Sequence, residues 1–401
     1  MIKRILYTLL IMFPVLASAQ INTDRVMAIG RNALYFEDYV LSIQYFNQVI
    51  NAKPYLSDPY FYRGLAKINL DDFQGAESDC SEAIERNPFV VSAYQVRGLA
   101  RIQQNNFAGA IEDYTKALEF DPENIGVWHN MALCRIRQED YKGAKNDLDK
   151  LIAISPRYTK AYLMRGEVDL KQKDTLAAEK DFGKAIEIDR YDADTWASRA
   201  ILRLQQQRYK DAEADFDHAI RLSTRNSGVY INRALARYHQ NNLRGAMSDY
   251  DIALDIDPNN FIGHYNRGLL RAQVGDDNRA IQDFNFVIEM EPDNMMAIFN
   301  RGLLLDQTGD YKGAIKDYST VINEYPNFLL GYQYRAQARR KIGDVKGADA
   351  DEFKVLKAQL DKQNGVDPNK QTADNTENNK TRKKSDKNMN NYRKIVVDDN
   401  E

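Results

Sequence analysis

Apolar and polar positions along this chain alternate in blocks. Apolar residues recur at the spacing of a helix face across two segments, separated by turn residues such as Gly275, Gly309 and Gly343 or by Asn105 and Asn241. The same pair of segments returns every 34 residues without slip. Counted from Thr23, further repeats begin at Ser57, Val91, Ile125, Thr159, Ala193, Ser227, Phe261, Met295 and Leu329. Position 8 of the repeat is always Gly or Ala, and position 20 is Ser42 and then Ala, from Ala76 to Ala348. Position 24 is mostly aromatic, as in Phe46, Tyr114, Phe182, Phe216, Tyr250, Phe284 and Tyr318, and position 32 is Pro in seven repeats. Small residues at 8 and 20 let two helix backbones approach, and the aromatic at 24 is expected to fill the space between one helix pair and the next. Pro at 32 cannot continue a helix and so ends the second one. The pattern predicts an all-α chain of antiparallel helix pairs, one pair per repeat.

These positions are those of the tetratricopeptide repeat, which residues 23–362 closely resemble over ten repeats without insertion or deletion. The departures are local: Arg190, Thr224 and Leu360 stand for Pro, and Cys80 and Leu148 for the aromatic. The resemblance implies an α-solenoid, a right-handed superhelix of ten helix-turn-helix repeats, in which the first helices line a concave face. Positions 2, 5, 6, 9, 12 and 13 would then be available to a ligand. Position 6 carries Asn130, Asn232, Asn266 and Asn300, three of them in consecutive repeats. An amide offers a donor and an acceptor together, which suits an extended peptide backbone whatever its side chains. Position 5 carries His129, Ile231, Tyr265 and Phe299 beside them. Asn130, Asn232, Asn266, Asn300, His129, Tyr265 and Phe299 are therefore the candidate peptide-binding residues. The superhelical repeats of O-linked N-acetylglucosamine transferases, which this face resembles, hold peptide backbone with asparagines at the same position. The carboxylate clamp that grips chaperone C-termini is disfavoured, since position 5 is never Lys and position 9 is mostly aliphatic, as in Leu65, Leu235 and Leu303.

Charge adds a second column. Arg fills position 7 in eight repeats, from Arg63 to Arg335, and Asp fills position 23 in nine, from Asp79 to Asp351. The gap in the arginine series within the array is Met131. Because both residues track the repeat rather than one region, the columns are read as pairs that fix the register of stacked helices. Chemistry is not expected. His129, His218, His239 and His264 fall in four different repeats without metal spacing, and hydrolase, zinc-protease and phosphate-loop motifs are missing. The stretch from Asp255 begins like a calcium loop but has Asn260 and Asn266 where Gly and Glu are needed. No cofactor, metal or catalytic residue is assigned, and a net charge of −3 without a basic groove argues against nucleic acid. Cys80 and Cys134 lie at core-type positions and are expected to be free buried thiols.

The ends differ from the middle. Lys3 and Arg4 precede an apolar run from Ile5 to Leu16 and then Ala17-Ser18-Ala19, which reads as a signal peptide over residues 1–19. The array is assigned to residues 20–362 and a disordered polar tail to 363–401, ending in the short β-prone segment Tyr392–Val397. Glu352 and the charged last helix read as a polar cap on the array. The expected protein is exported, periplasmic or secreted from a bacterium, monomeric, and without a membrane span once the signal is cleaved. The expected function is a non-catalytic interaction scaffold that binds an extended segment of a protein partner on its concave face. The alternative is the targeting region of a larger enzyme or sensor whose next domain begins with the β-prone segment.

Overall fold

The computed structural model describes residues 22–222, 225–364, 389 and 391–396. The expected signal peptide and most of the expected tail lie outside these residues. The chain divides into two compact units, residues 1–189 and 190–401, each with five helix pairs. In the first unit the pairs are α1 (Thr23–Tyr35) with α2 (Tyr39–Ala52), α3 (Asp58–Ile68) with α4 (Phe73–Arg86), α5 (Val91–Gln103) with α6 (Phe107–Phe120), α7 (Ile125–Arg137) with α8 (Tyr141–Ile154), and α9 (Thr159–Lys171) with α10 (Thr175–Ile188). In the second they are α11 (Ala193–Gln205) with α12 (Tyr209–Arg221), α13 (Ser227–His239) with α14 (Leu243–Ile256), α15 (Phe261–Gln273) with α16 (Asp277–Met290), α17 (Met295–Thr308) with α18 (Tyr311–Glu324), and α19 (Leu329–Lys341) with α20 (Val345–Gln363). Consecutive helices pack in order within each unit, as a solenoid of repeats requires, and the described residues form no strand.

The turn inside each pair is the same in all ten repeats. Position 15 has a left-handed backbone, with φ from 59° to 93°, and is Gly only at 275, 309 and 343. At Glu37, Asp71, Asn105, Glu139, Lys173, Gln207 and Asn241 a side chain is held in that conformation, which costs L-residues roughly 1 kcal/mol. The next residue offsets part of this. Asp38, Asp72, Asn106, Asp140, Asp174, Asn242, Asp310 and Asp344 each accept a hydrogen bond from the backbone N–H three residues on and so cap the second helix.

Position 8 has no room for more than it carries. A Cβ built on Gly98 would lie 2.8 Å from the Tyr114 ring, and one on Gly166 would lie 2.6 Å from the Phe182 ring. The aromatic at 24 thus presses on position 8 of its own repeat, as well as joining clusters such as Tyr114 with Val127 and Met131 of the next. The expected role at the junction between repeats is thus joined by a contact inside the repeat.

All eight position-7 arginines pair with the position-23 aspartate of their own repeat, as in the two parallel bonds of 3.0 and 2.6 Å from Arg233 to Asp249. In seven of them the remaining nitrogen crosses to position 25 of the preceding repeat, at Asn47, Ser81, Asp149, Asp217, Asp251, Asn285 or Ser319. Position 11 adds a second cation to the same aspartate through Lys67, Arg101, Arg203, Arg237, Arg271 and Arg339. These buried carboxylates are tolerable because one or two cations, most of them forked guanidiniums, replace the lost water. Repeat 4 shows what the arginine does. Met131 stands in its place, and Asp147 keeps an ion contact of 2.8 Å with Arg135 Nε that lies off the hydrogen-bond axis. Burial pushes the Asp147 carboxyl up to about 6, although Arg135 opposes it. Burial also raises Asp113, which has two arginines, but Asp283, with His264 as a further donor, is carried below its usual value. Burial likewise raises the free Cys80 and Cys134 thiols to about 12 and about 11.

The expectation of a polar cap does not hold for α20. Leu356 and Leu360 are exposed there, and Phe353 is 66% exposed. Position 28 is apolar in every repeat because it packs on the first helix of the next pair; in α20 the same position is Leu356, and it is exposed.

Candidate peptide-binding face

The 34-residue period places positions 5 and 6 of successive first helices side by side. Asn260 and Asn294 cap α15 and α17 by accepting from Gly263 and Ala297 N–H, which sets both helices in the same register. Tyr265 and Asn266 of α15 and Phe299 and Asn300 of α17 then converge on one stretch of backbone, and that stretch is the chain's own segment around residues 389–396. Asn266 Nδ2 donates to Val396 C=O at 2.7 Å, and Val396 N–H donates to Asn266 Oδ1 at 2.8 Å. A single amide thereby satisfies both backbone groups of one residue, in the way a neighbouring strand would. Asn300 Nδ2 donates to Tyr392 C=O at 2.5 Å, and the Tyr265 hydroxyl donates to the same oxygen at 2.6 Å. Asn300 is also held by its own helix, through Met296 C=O at 2.9 Å. Burial raises the pKa of the Tyr265 hydroxyl, so it remains a donor across the working pH range.

Side chains of the segment fill the spaces between the helices. Met389 is 2% exposed, in a cluster with Ile298, Phe299, Phe328 and Ala338. The Tyr392 ring stands edge-on to Phe299 at 4.8 Å. Ile395 is 7% exposed, in a cluster with Ala200, Leu204, Leu235 and Ala236. The segment therefore runs from α17 and α19 toward α11 and α13, against the order of the repeats. The β-prone end expected for the tail differs from this finding at the described residues 391–396. Hydrogen bonds from Tyr392 N–H to Met389 C=O and from Lys394 N–H to Asn391 C=O turn the backbone where a strand was expected.

Four of the seven sequence candidates meet at this place. Asn232, one repeat earlier on α13, is buried at 1% exposure, and its neighbour Ile231 is wholly in the core with Tyr250. His129 and Asn130 belong to the first unit. His129 Nδ1 lies 3.3 Å from the Tyr158 hydroxyl, and burial depresses its pKa. Asn130 lies against the Tyr114 hydroxyl without an aligned bond. The side chains that wall the groove, Leu204 and Leu235 among them, sit at positions 12 and 9. Both positions were named as available to a ligand, yet Leu235 was read only as an argument against a carboxylate clamp and Leu204 was not singled out. Among the described residues no group of His, Cys, Asp and Glu has metal-binding geometry, and no helix is long and apolar enough to cross a membrane.

Family models described as "TPR repeat" and "Tetratricopeptide repeat" match residues 98–134, 125–158, 159–192, 198–261 and 265–327, together more than half of the chain. Among solved structures, a tetratricopeptide repeat protein from Parabacteroides merdae is 21% identical, with 62% of this chain and 98% of that chain covered and a TM-score of 0.48. The C-terminal part of a TPR repeat-containing protein from Cytophaga hutchinsonii is 18% identical, covering 57% of this chain and 95% of its own, with a TM-score of 0.49. A structure of pilF from Pseudomonas aeruginosa is 20% identical, covering 50% and 92%, with a TM-score of 0.44. No curated protein matches the chain.

Proposed function

The chain belongs to the tetratricopeptide repeat family, a family of protein–protein interaction scaffolds that are generally non-catalytic, and from that premise we propose that it holds an extended segment of a partner protein on the first-helix face of its second unit, in the bacterial cell envelope. The observation that carries this reading is the Asn266 amide, which exchanges two hydrogen bonds with the backbone of Val396. Such a contact reads backbone and not side chain, and Asn300 with Tyr265 repeats the arrangement one repeat on. The envelope assignment rests on Lys3, Arg4, the apolar run to Leu16 and Ala17-Ser18-Ala19. Residues 392–396 of the β-prone segment, which motivated the alternative of a following enzyme or sensor domain, are seated on the repeats.

The test has two arms. Cell fractionation of the full-length chain should place it in the exported fraction with the first nineteen residues removed. Mature protein carrying a photo-crosslinker at Leu269 should label an envelope protein at one contiguous segment, and Asn266→Ala with Asn300→Ala should reduce that labelling at least tenfold. Undiminished labelling by the double variant would sink the groove assignment.

A further inference from the structure

The resident segment describes the groove's selectivity as well as its place. A strand turns every second side chain to one face. Here two successive turns, closed by the bonds from Tyr392 N–H to Met389 C=O at 3.2 Å and from Lys394 N–H to Asn391 C=O at 2.8 Å, bring every third side chain inward. Met389, Tyr392 and Ile395 are the inward residues, while Asn391, Arg393 and Lys394 are exposed. The backbone groups met by the groove are Tyr392 C=O and both groups of Val396, none of which the two turns use. Turn, pockets and amide contacts therefore agree on one register.

We infer that the partner segment carries this same pattern, an apolar residue, an aromatic three residues on and a branched aliphatic three residues after that, and that it enters by exchange with Met389–Val396. The inference rests on the groove reading above. Backbone contacts from Asn266 and Asn300 are common to any peptide, so discrimination falls to the three apolar sites. Met389 packs in a cluster with Phe299 and Phe328, Tyr392 meets the Phe299 ring edge-on, and Ile395 packs in a separate cluster with Leu204 and Leu235. The resident segment is also tethered. Its covalent link to α20 makes its binding intramolecular and so gives it a high effective concentration. A partner without the pattern forfeits the pocket contacts and cannot displace a competitor held at that concentration.

The probe is a fluorescent synthetic peptide of residues 386–398, with a second in which the Met, Tyr and Ile positions are serine. The receptors are the mature full-length chain and the same chain with M389D, Y392A and I395D, which frees the groove. Fluorescence anisotropy should show the freed chain binding the native-sequence peptide at least tenfold more tightly than the wild type does, and the serine peptide at least tenfold more weakly. Adding N266A and N300A to the freed chain should abolish binding. Equal binding of both peptides overturns the pattern while leaving the groove reading intact, whereas no binding of either by a folded freed chain overturns both. Equal affinity of wild-type and freed chains overturns the exchange. Dimers of the wild type that disappear in the freed chain would replace the partner by a second copy and overturn the inference. If the triple variant fails by circular dichroism, Y392A alone is the receptor, with a smaller gain over wild type expected.

Discussion

The two units of this chain are built on one repeat and differ in what the repeat carries on its first helices. In the first unit position 6 is Ala28, Tyr62, Val96, Asn130 and Met164, and the single amide faces Tyr114. In the second, Asn232, Asn266 and Asn300 stand in consecutive repeats, and two of them hold a backbone segment. The ionic columns differ in the opposite sense. Repeats 7 and 8 have two arginines around each of Asp249 and Asp283, and the first unit contains the one position-23 aspartate without a position-7 arginine, Asp147. The face that seats the segment thus arises not by changing the scaffold but by enriching one column.

The comparison breaks most sharply at the aspartates. Asp249→Asn removes the partner of two buried guanidinium groups and should cost about 3 kcal/mol or more. Asp147→Asn should do the reverse at neutral pH. The folded carboxyl titrates at about 6, above the usual unfolded value near 3.9, so the folded state binds more protons between those values. Its stability must then fall as pH rises through that window, by at most ~3 kcal/mol. Asp147→Asn should flatten this slope and stabilise the first unit by ~1–2 kcal/mol at pH 7.5, with no gain at pH 4. Urea unfolding at both pH values measures it, and a variant less stable than wild type at pH 7.5 would refute the account of repeat 4.

A middle-sized effect should mark the amides. Asn266→Ala removes two hydrogen bonds of roughly 0.5–1.5 kcal/mol each and should speed hydrogen exchange at Val396 N–H at least tenfold. Asn130→Ala in the first unit should leave that amide unchanged. The smallest effect concerns the turns. Gln207→Gly relieves a left-handed side-chain residue (φ 62°) and should stabilise the second unit by up to ~1 kcal/mol, while Gly275→Ala should cost a similar amount. Equal and null shifts in both would mean that position 15 is not under strain.

The period made the fold legible, because small residues at 8 and 20, aromatics at 24 and Pro at 32 each have one geometric use in a helix pair. The own-repeat pairing of Arg63 with Asp79 was half legible, since spacing alone allowed a neighbour's aspartate, and the cross-repeat arm to Asn47 gave no signal beyond a small polar residue. Position 6 was legible because an asparagine on a helix face has few other reasons to recur. The occupant was not. Met389, Tyr392 and Ile395 were visible as apolar residues in a polar tail, but β-propensity suggested a period of two, and only the turn at Asn391–Lys394 reveals a period of three. Phe353 on α20 misled in the other direction, because charge around it concealed an apolar face.

The arm that most arginines extend to position 25 of the preceding repeat has a consequence for how such a chain can change length. Each arginine depends on an aspartate within its own repeat, and asks of the repeat before it only an oxygen, supplied interchangeably by Asn47, Ser81, Asp149 or Asn285. Excising or duplicating one whole repeat would therefore keep each position-7 arginine with its position-23 aspartate, and would break only cross-repeat pairs such as Lys145 with the buried Asp169. A gene that gains or loses repeats by unequal recombination would meet little electrostatic resistance along the arginine and aspartate columns, so the array's length can change by whole repeats.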